Sequence, residues 1–289
     1  MSPNDQTSTH PMVGVDSFSP AEIARMVETR GTAKAAAPVV TTLVLGIVAG
    51  AFIALGAVLA TVVSTGSTLG VGPTRLLAGA AFSLGLILVI VGGAELFTGN
   101  NLLMMSWVGR QIALRRLLRN WVIVYVGNAV GAVSVAMLVY AADWWKLADH
   151  SVGVTALSIA AGKSGLSFQV AFVRGILANA LVCLAVWLAT AGRSVTDKVL
   201  AIVFPISAFV AGGFEHSIAN MYFIPVGLLL SRQSEVVAAA GLSPAALTSL
   251  DWAGMLTNIT AATLGNIVGG AGLVGVVYWF VYRRGQSTR

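Results

Sequence analysis

Six apolar runs, each long enough to cross a bilayer, limit this chain more than any other feature of its sequence. They lie near residues 38–64, 76–108, 120–142, 168–190, 199–230 and 251–282. A spanning helix needs about 20 mostly apolar residues, and period-two alternation is missing, so helices rather than an outer-membrane barrel are expected. Only 10% of residues are charged, against roughly 25% in a soluble domain, and mean hydropathy is +0.86. The expected class is an all-α integral membrane protein.

Two runs are too long for one straight helix. The run 76–108 carries Glu95 as its only charge, and the run 199–230 carries Glu215 and His216. Each has a glycine pair two residues before its glutamate, Gly92-Gly93 and Gly212-Gly213, which offers the backbone a place to unwind. Irregular backbone at membrane depth survives only where protein buries it or it lines a cavity. An ionisable residue there is a functional-site hypothesis by default.

The two breaks also resemble each other, "VGGAELFTG" at 91–99 against "AGGFEHSIA" at 211–219. A second match is more specific: "NWVIVYVGNAVG" at 120–131 against "NITAATLGNIVG" at 258–269. The chain therefore reads as two homologous halves, about 38–142 and 168–282, each with three spans. Three being odd, the halves insert in opposite orientations, a transporter or channel pattern that places the substrate site near the midplane. Pairs of glycines four apart at Gly46–Gly50, Gly127–Gly131 and Gly265–Gly269 mark expected helix contacts.

Basic residues set the expected topology. With both termini cytoplasmic, that side holds twelve of the seventeen Lys and Arg residues, and the other five are Arg75, Lys146, Lys163, Arg174 and Arg232. The net charge of +6 is thus a topology signal, and nucleic acid is not an expected partner. Residues 1–37 carry acidic residues before any apolar run and no small-residue cleavage site, so they are expected to be retained rather than removed as a signal peptide. Within them "SPAE", residues 19–22, reads as a capping box opening an amphipathic helix at the cytoplasmic surface. Its apolar stripe is Ile23, Met26 and Val27 and its polar face Arg25, Glu28 and Arg30, and it serves either to anchor the chain or to cover a pore mouth. Residues 283–289 form a cytoplasmic tail. Cys183 is the single cysteine, so no internal disulfide is possible.

The segments "AELFTGN" at 94–100, "AFVRGILANALVCLAVW" at 171–187 and "FPISAFVAGGFEHSIANMYFIP" at 204–225 closely resemble signature segments of the formate–nitrite transporter family. The resemblance spans about residues 20 to 285. It implies an aquaporin-like six-span helical bundle of inverted three-helix repeats with broken second and fifth helices, forming a homopentamer in the bacterial inner membrane with one pore per protomer. It also implies passage of small monovalent anions or their conjugate acids. Formate is the first expectation, with nitrite, hydrosulfide and lactate as alternatives.

Carried over by position, the family's central histidine falls on His216, its threonine partner on Thr98, a pore asparagine on Asn179 and the lysine near the outer mouth on Lys163. Apolar constrictions fall on Phe82, Leu86 and Phe209 on one side, and on Leu96, Phe97 and Val182 on the other. Glu95 and Glu215 are expected to organise the broken loops, because a carboxylate can accept several unpaired backbone N–H groups.

Physical chemistry agrees with such a site. A bare anion in an apolar passage loses hydration at high cost, which a neutral acid largely avoids. His216, the only histidine within a run, has an unperturbed pKa near 6.5, so modest shifts control its charge near neutral pH: desolvation would lower the pKa and an approaching anion would raise it. Thr98 also fits a plain helix cap. No cofactor is expected. The paired Asn-Pro-Ala motifs of water and glycerol channels, a Walker-type phosphate loop and a GxSxG nucleophile motif are all missing, although Ser217 beside His216 leaves a hydrolase reading open.

Overall fold

The structure, a computed structural model, describes residues 17–285. The expected tail residues 286–289, and residues 1–16 of the expected N-terminal segment, lie outside the described residues. Helix α1 (Pro20–Ala36) opens with the expected capping box. The Ser19 hydroxyl accepts from the Glu22 N–H, and the Glu22 carboxylate accepts from the Ser19 N–H. The chain continues through α2 (Val39–Ser64), α3 (Val71–Gly92) and the short α4 (Phe97–Asn100). A 3₁₀ turn at Asn101–Leu103, α5 (Met104–Val108) and α6 (Leu114–Ala141) complete the first half. The second half runs through α7 (Ser151–Ser164), α8 (Phe168–Ala191), α9 (Val195–Ala211) and α10 (Ser217–Leu230). The short α11 (Ser234–Ala240) and α12 (Pro244–Thr248) lead to α13 (Trp252–Ile267), a π-helical stretch at Val268–Val276 and α14 (Val277–Tyr282).

Five helices among the described residues are long and apolar enough to cross a membrane, and six if α10 and α11, joined at a 107° bend, are counted as one. The fifth run is divided because α9 and α10 are separate helices of 17 and 14 residues, each shorter than a full span. Both breaks fall at the glycine pairs. Gly93 (φ 83) and Gly213 (φ 69) are left-handed, a conformation that strains any residue with a Cβ. Helices α3 and α6 begin earlier than their apolar runs, at Val71 and Leu114, so that Arg75, Arg115, Arg116 and Arg119 belong to helical turns. Hydropathy undercounts such ends because arginine stems lie along apolar surface while the guanidinium stays hydrated.

Helix α2 packs on α3 and α6, α8 packs on α9 and α13, and α3 meets α9 across the halves. The glycine pairs set the closest of these approaches. A Cβ on Gly131 would collide with the Ile47 carbonyl oxygen, and one on Gly269, its counterpart in the repeat, with that of Ile176. Helix α7 was not expected, since 14 residues are too few for a span and 143–167 reads as a connection. It stands before α8 as α1 stands before α2, so both halves carry an extra helix at their start.

Helix α1 departs from its expected amphipathic face at one residue. Glu28 is buried, and its carboxylate accepts from Arg283 Nε at 2.6 Å and Gln111 Nε2 at 3.1 Å. Burial of this charge is compensated because the end of the sixth span supplies a guanidinium, which a helical wheel of α1 alone does not reveal. Helix α1 therefore docks onto the bundle.

Candidate functional site

Two cavities enter the molecule from opposite faces. On the face away from α1, a vestibule of about 440 Å³ is lined by residues including Ser64, Arg75, Phe82, Lys163, Arg174, Phe209 and His216. On the α1 side, a second of about 270 Å³ is lined by residues including Val27, Arg30, Lys34, Glu95, Val186 and Lys198. Four α1 residues contribute to that wall, so the helix borders the mouth as well as anchoring.

Behind the first vestibule lies the central pair. His216 caps α10, and its Nδ1 accepts from the Ala219 N–H at 3.1 Å. With Nδ1 used as an acceptor, the neutral ring carries its hydrogen on Nε2. Nε2 lies 3.0 Å from Thr98 Oγ1 and donates to it. The Thr98 hydroxyl makes no other hydrogen bond among the described residues, so its own proton is left to donate to a ligand. Both residues are buried.

Asn179 is fully buried beside them. Its Nδ2 donates to the Asn266 carbonyl at 2.7 Å, to Asn101 Oδ1 at 3.1 Å and to the Thr98 carbonyl at 3.3 Å. Its amide therefore ties the first break to the sixth span. Gly270, in the π-helical stretch, leaves room for it, since a Cβ there would collide with Asn179 Nδ2.

The apolar residues divide. Phe82 and Phe209 meet edge to face at 5.5 Å, and the Phe209 ring stands 5.9 Å from His216, with Leu86 buried nearby in the same helix as Phe82. Leu96, Phe97 and Val182 are buried but do not line the α1-side vestibule. Phe97 packs edge to face against Tyr125 at 5.0 Å and Trp121 at 6.0 Å on α6.

Among the described residues the Glu95 and Glu215 carboxylates take side-chain donors rather than the expected backbone N–H groups. The Glu215 carboxylate takes Lys163 Nζ at 3.0 and 3.2 Å, Asn220 Nδ2 at 2.6 Å and Asn258 Nδ2 at 3.2 Å. Glu95 takes Asn100 Nδ2 at 2.6 Å and Lys34 Nζ at 3.1 Å. Of the backbone N–H groups at the breaks, those of Glu95 and Glu215 go to the Leu45 and Arg174 carbonyls, and two others go to asparagines. Asn128 accepts from the Phe97 N–H and Asn266 from the Ser217 N–H, each at 2.9 Å. The carboxylates are occupied by cationic and amide side chains, which reach them from neighbouring helices.

The whole arrangement is duplicated. Asn128 Nδ2 donates to the carbonyls of Gly46 and Glu95, and Asn266 Nδ2 to those of Gly175 and Glu215. Asn120 joins Asn100 to the Lys34 carbonyl, as Asn258 joins Asn220 to that of Lys163. Sequence reasoning assigned no role to Lys34, Asn100, Asn120, Asn128, Asn220, Asn258 or Asn266. The signal was nonetheless present, since four of these asparagines occupy two of the five matching positions of the 120–131 and 258–269 repeat. Thr98, His216 and Asn179 fall outside this duplication, so the two halves share a scaffold and differ at its centre.

The model of the family described as "Formate/nitrite transporter" matches residues 21–280. The chain is 40% identical to the formate channel FocA of Escherichia coli strain K12 over 93% of its own length and 96% of the relative's. It is also 40% identical to a probable formate transporter of Methanothermobacter thermautotrophicus, covering 91% and 97% of the two chains. Among solved structures, it is similar to a pentameric formate channel with formate bound, at TM-score 0.78 and 38% identity over 84% of this chain and 97% of the other. An ion channel described as of the FNT family matches at TM-score 0.75 and 29% identity, covering 90% and 98%.

Proposed function

The chain belongs to the formate/nitrite transporter family, and on that premise we propose that it is a multi-pass membrane channel or carrier that passes formate together with a proton. The carrying observation is the pair of opposed vestibules with the buried Thr98–His216 contact behind the first. An anion crossing there accepts a hydrogen bond from the Thr98 hydroxyl while apolar walls exclude water, and a proton taken up from bulk water through the vestibule removes most of the desolvation cost. Phe82, Leu86 and Phe209 form the outer constriction, and Leu96, Phe97 and Val182 the inner one. Lys34–Glu95 and Lys163–Glu215, with their asparagines, hold the two broken loops that frame the site.

Passage rather than hydrolysis is favoured because His216 directs its ring nitrogens to Thr98 and the Ala219 N–H, leaving the buried Ser217 hydroxyl without a base. The distribution of arginines and lysines supports cytoplasmic termini, with the α1-side vestibule inside and the other outside. The likeness to a pentameric formate channel supports a homopentamer with one pore per protomer in the bacterial inner membrane.

Labelled-formate uptake into proteoliposomes at external pH 5 and 7.5, with nitrite, hydrosulfide, lactate and chloride as competitors, tests this reading. Saturable uptake that rises with acidity and is blocked best by unlabelled formate is expected. Inhibition by one other anion alone, or no uptake above empty liposomes, would refute formate as the substrate.

A further inference from the structure

The outer vestibule contains three cations, Arg75, Lys163 and Arg174, and one carboxylate, Glu215. Lys163 is the obvious candidate to draw anions inward. Its ammonium is instead bound by both Glu215 oxygens at 3.0 and 3.2 Å, so the pair carries no net charge into the cavity. Arg75 and Arg174 make no ion pair among the described residues. They supply the two positive charges of the vestibule that no carboxylate offsets.

Their placement separates a structural role from a ligand-binding one. Arg174 occupies the position that Leu45 holds in the first half, since the Glu215 N–H donates to the Arg174 carbonyl as the Glu95 N–H does to that of Leu45. The scaffold thus runs equally well through a leucine, and the guanidinium of Arg174 serves something the first half does not need. The guanidinium of Arg75 lies against Gly213, where a Cβ would strike its Nη2, three residues before His216. It stands over the broken loop that carries the central histidine.

We propose that Arg75 and Arg174 form an outer capture subsite for a small monovalent carboxylate, distinct from the central Thr98–His216 pair and ahead of the Phe82–Phe209 constriction. A guanidinium holds a carboxylate through paired N–H donors and stays charged at any working pH. A low-dielectric cavity lined by unpaired cations raises local anion concentration by about 10- to 1000-fold. The subsite rests on the anion-passage reading, and it assigns concentration and selection by charge to these arginines while the central pair supplies hydrogen bonds further in.

Two measurements test it. In proteoliposomes, R174L and R75Q are expected to raise the apparent KM for formate several-fold each, and about tenfold together, with Vmax within twofold of wild type. R174K and R75K should retain most of the affinity, and wild-type uptake at low formate should fall with added salt more steeply than that of the double variant. Unchanged KM and salt dependence in variants that still form the wild-type oligomer would overturn the proposal.

The second measurement needs no formate flux. Ser64 lines the vestibule, and the one natural thiol, Cys183, is buried. In S64C an anionic methanethiosulfonate should react faster than a neutral one, and R75Q/R174L should slow only the anionic reagent, by several-fold. Equal slowing of both reagents, or of neither, would overturn the subsite even if formate passage holds. Selective slowing in a protein that moves no formate would keep the subsite and refute only the substrate.

Discussion

Replacing Glu215 with glutamine should destabilise the protein far more than the same change at Glu95, although both stand in matching networks. The Glu215 side chain is 3% exposed and its lysine partner 17%, against 14% and 34% for Glu95 and Lys34. Breaking a buried ion pair from one side costs about 3–5 kcal/mol because the other charge is left uncompensated. Lys163 keeps some access to the vestibule, so the low end applies and E215Q should cost about 3 kcal/mol. The better-hydrated Lys34 rehydrates more readily, so E95Q should cost about 1 kcal/mol, close to the range of exposed pairs. Unfolding in mixed micelles titrated with sodium dodecyl sulfate, followed by tryptophan fluorescence, reads both. The double change K163M/E215Q removes the stranded charge and should be more stable than E215Q by at least about 1 kcal/mol. Equal costs at the two glutamates, or a double variant no better than E215Q, would refute the view that these are charge-compensated loop clamps.

Asn179→Ala should lower stability by about 1–3 kcal/mol, because the carbonyls of Thr98 and Asn266 lose a buried donor; the same micelle titration measures it, and formate flux should fall as Thr98 loosens. Gly269→Leu should prevent the π-helical stretch after α13 from closing on α8 and abolish the assembled protein on size exclusion, whereas Gly272→Ala, with open space at its Cβ, should leave assembly intact. Glu28→Ala should remove the α1 bonds to Arg283 Nε and Gln111 Nε2 and make the 20–36 segment more readily cleaved by trypsin at Arg25 or Arg30 in detergent-solubilised protein, while uptake persists.

The apolar runs, the glycine pairs and the internal repeat were all readable because each follows from a local rule: bilayer thickness, left-handed backbone, or self-similarity along the chain. Helix α7 was not readable, since its 14 residues satisfy no span rule and only the parallel between Lys34 and Lys163, each five residues before a span, pointed to it. The buried Glu28 and the inward amide of Asn179 depend on partners more than 75 residues away in the chain, which periodicity does not encode. The pairing of Lys163 with Glu215, which leaves Arg174 as an unpaired cation of the vestibule, likewise joins residues 52 apart in the chain.

Initial rates of labelled-formate uptake into proteoliposomes, measured together with internal pH for wild type, T98V and H216N, test the central claim most directly. If formate crosses between the vestibules past this pair, both variants fold as wild type and lose at least about tenfold in rate, with acidification falling in proportion to formate entry. Wild-type rates and an unchanged ratio of protons to formate in both variants would contradict it.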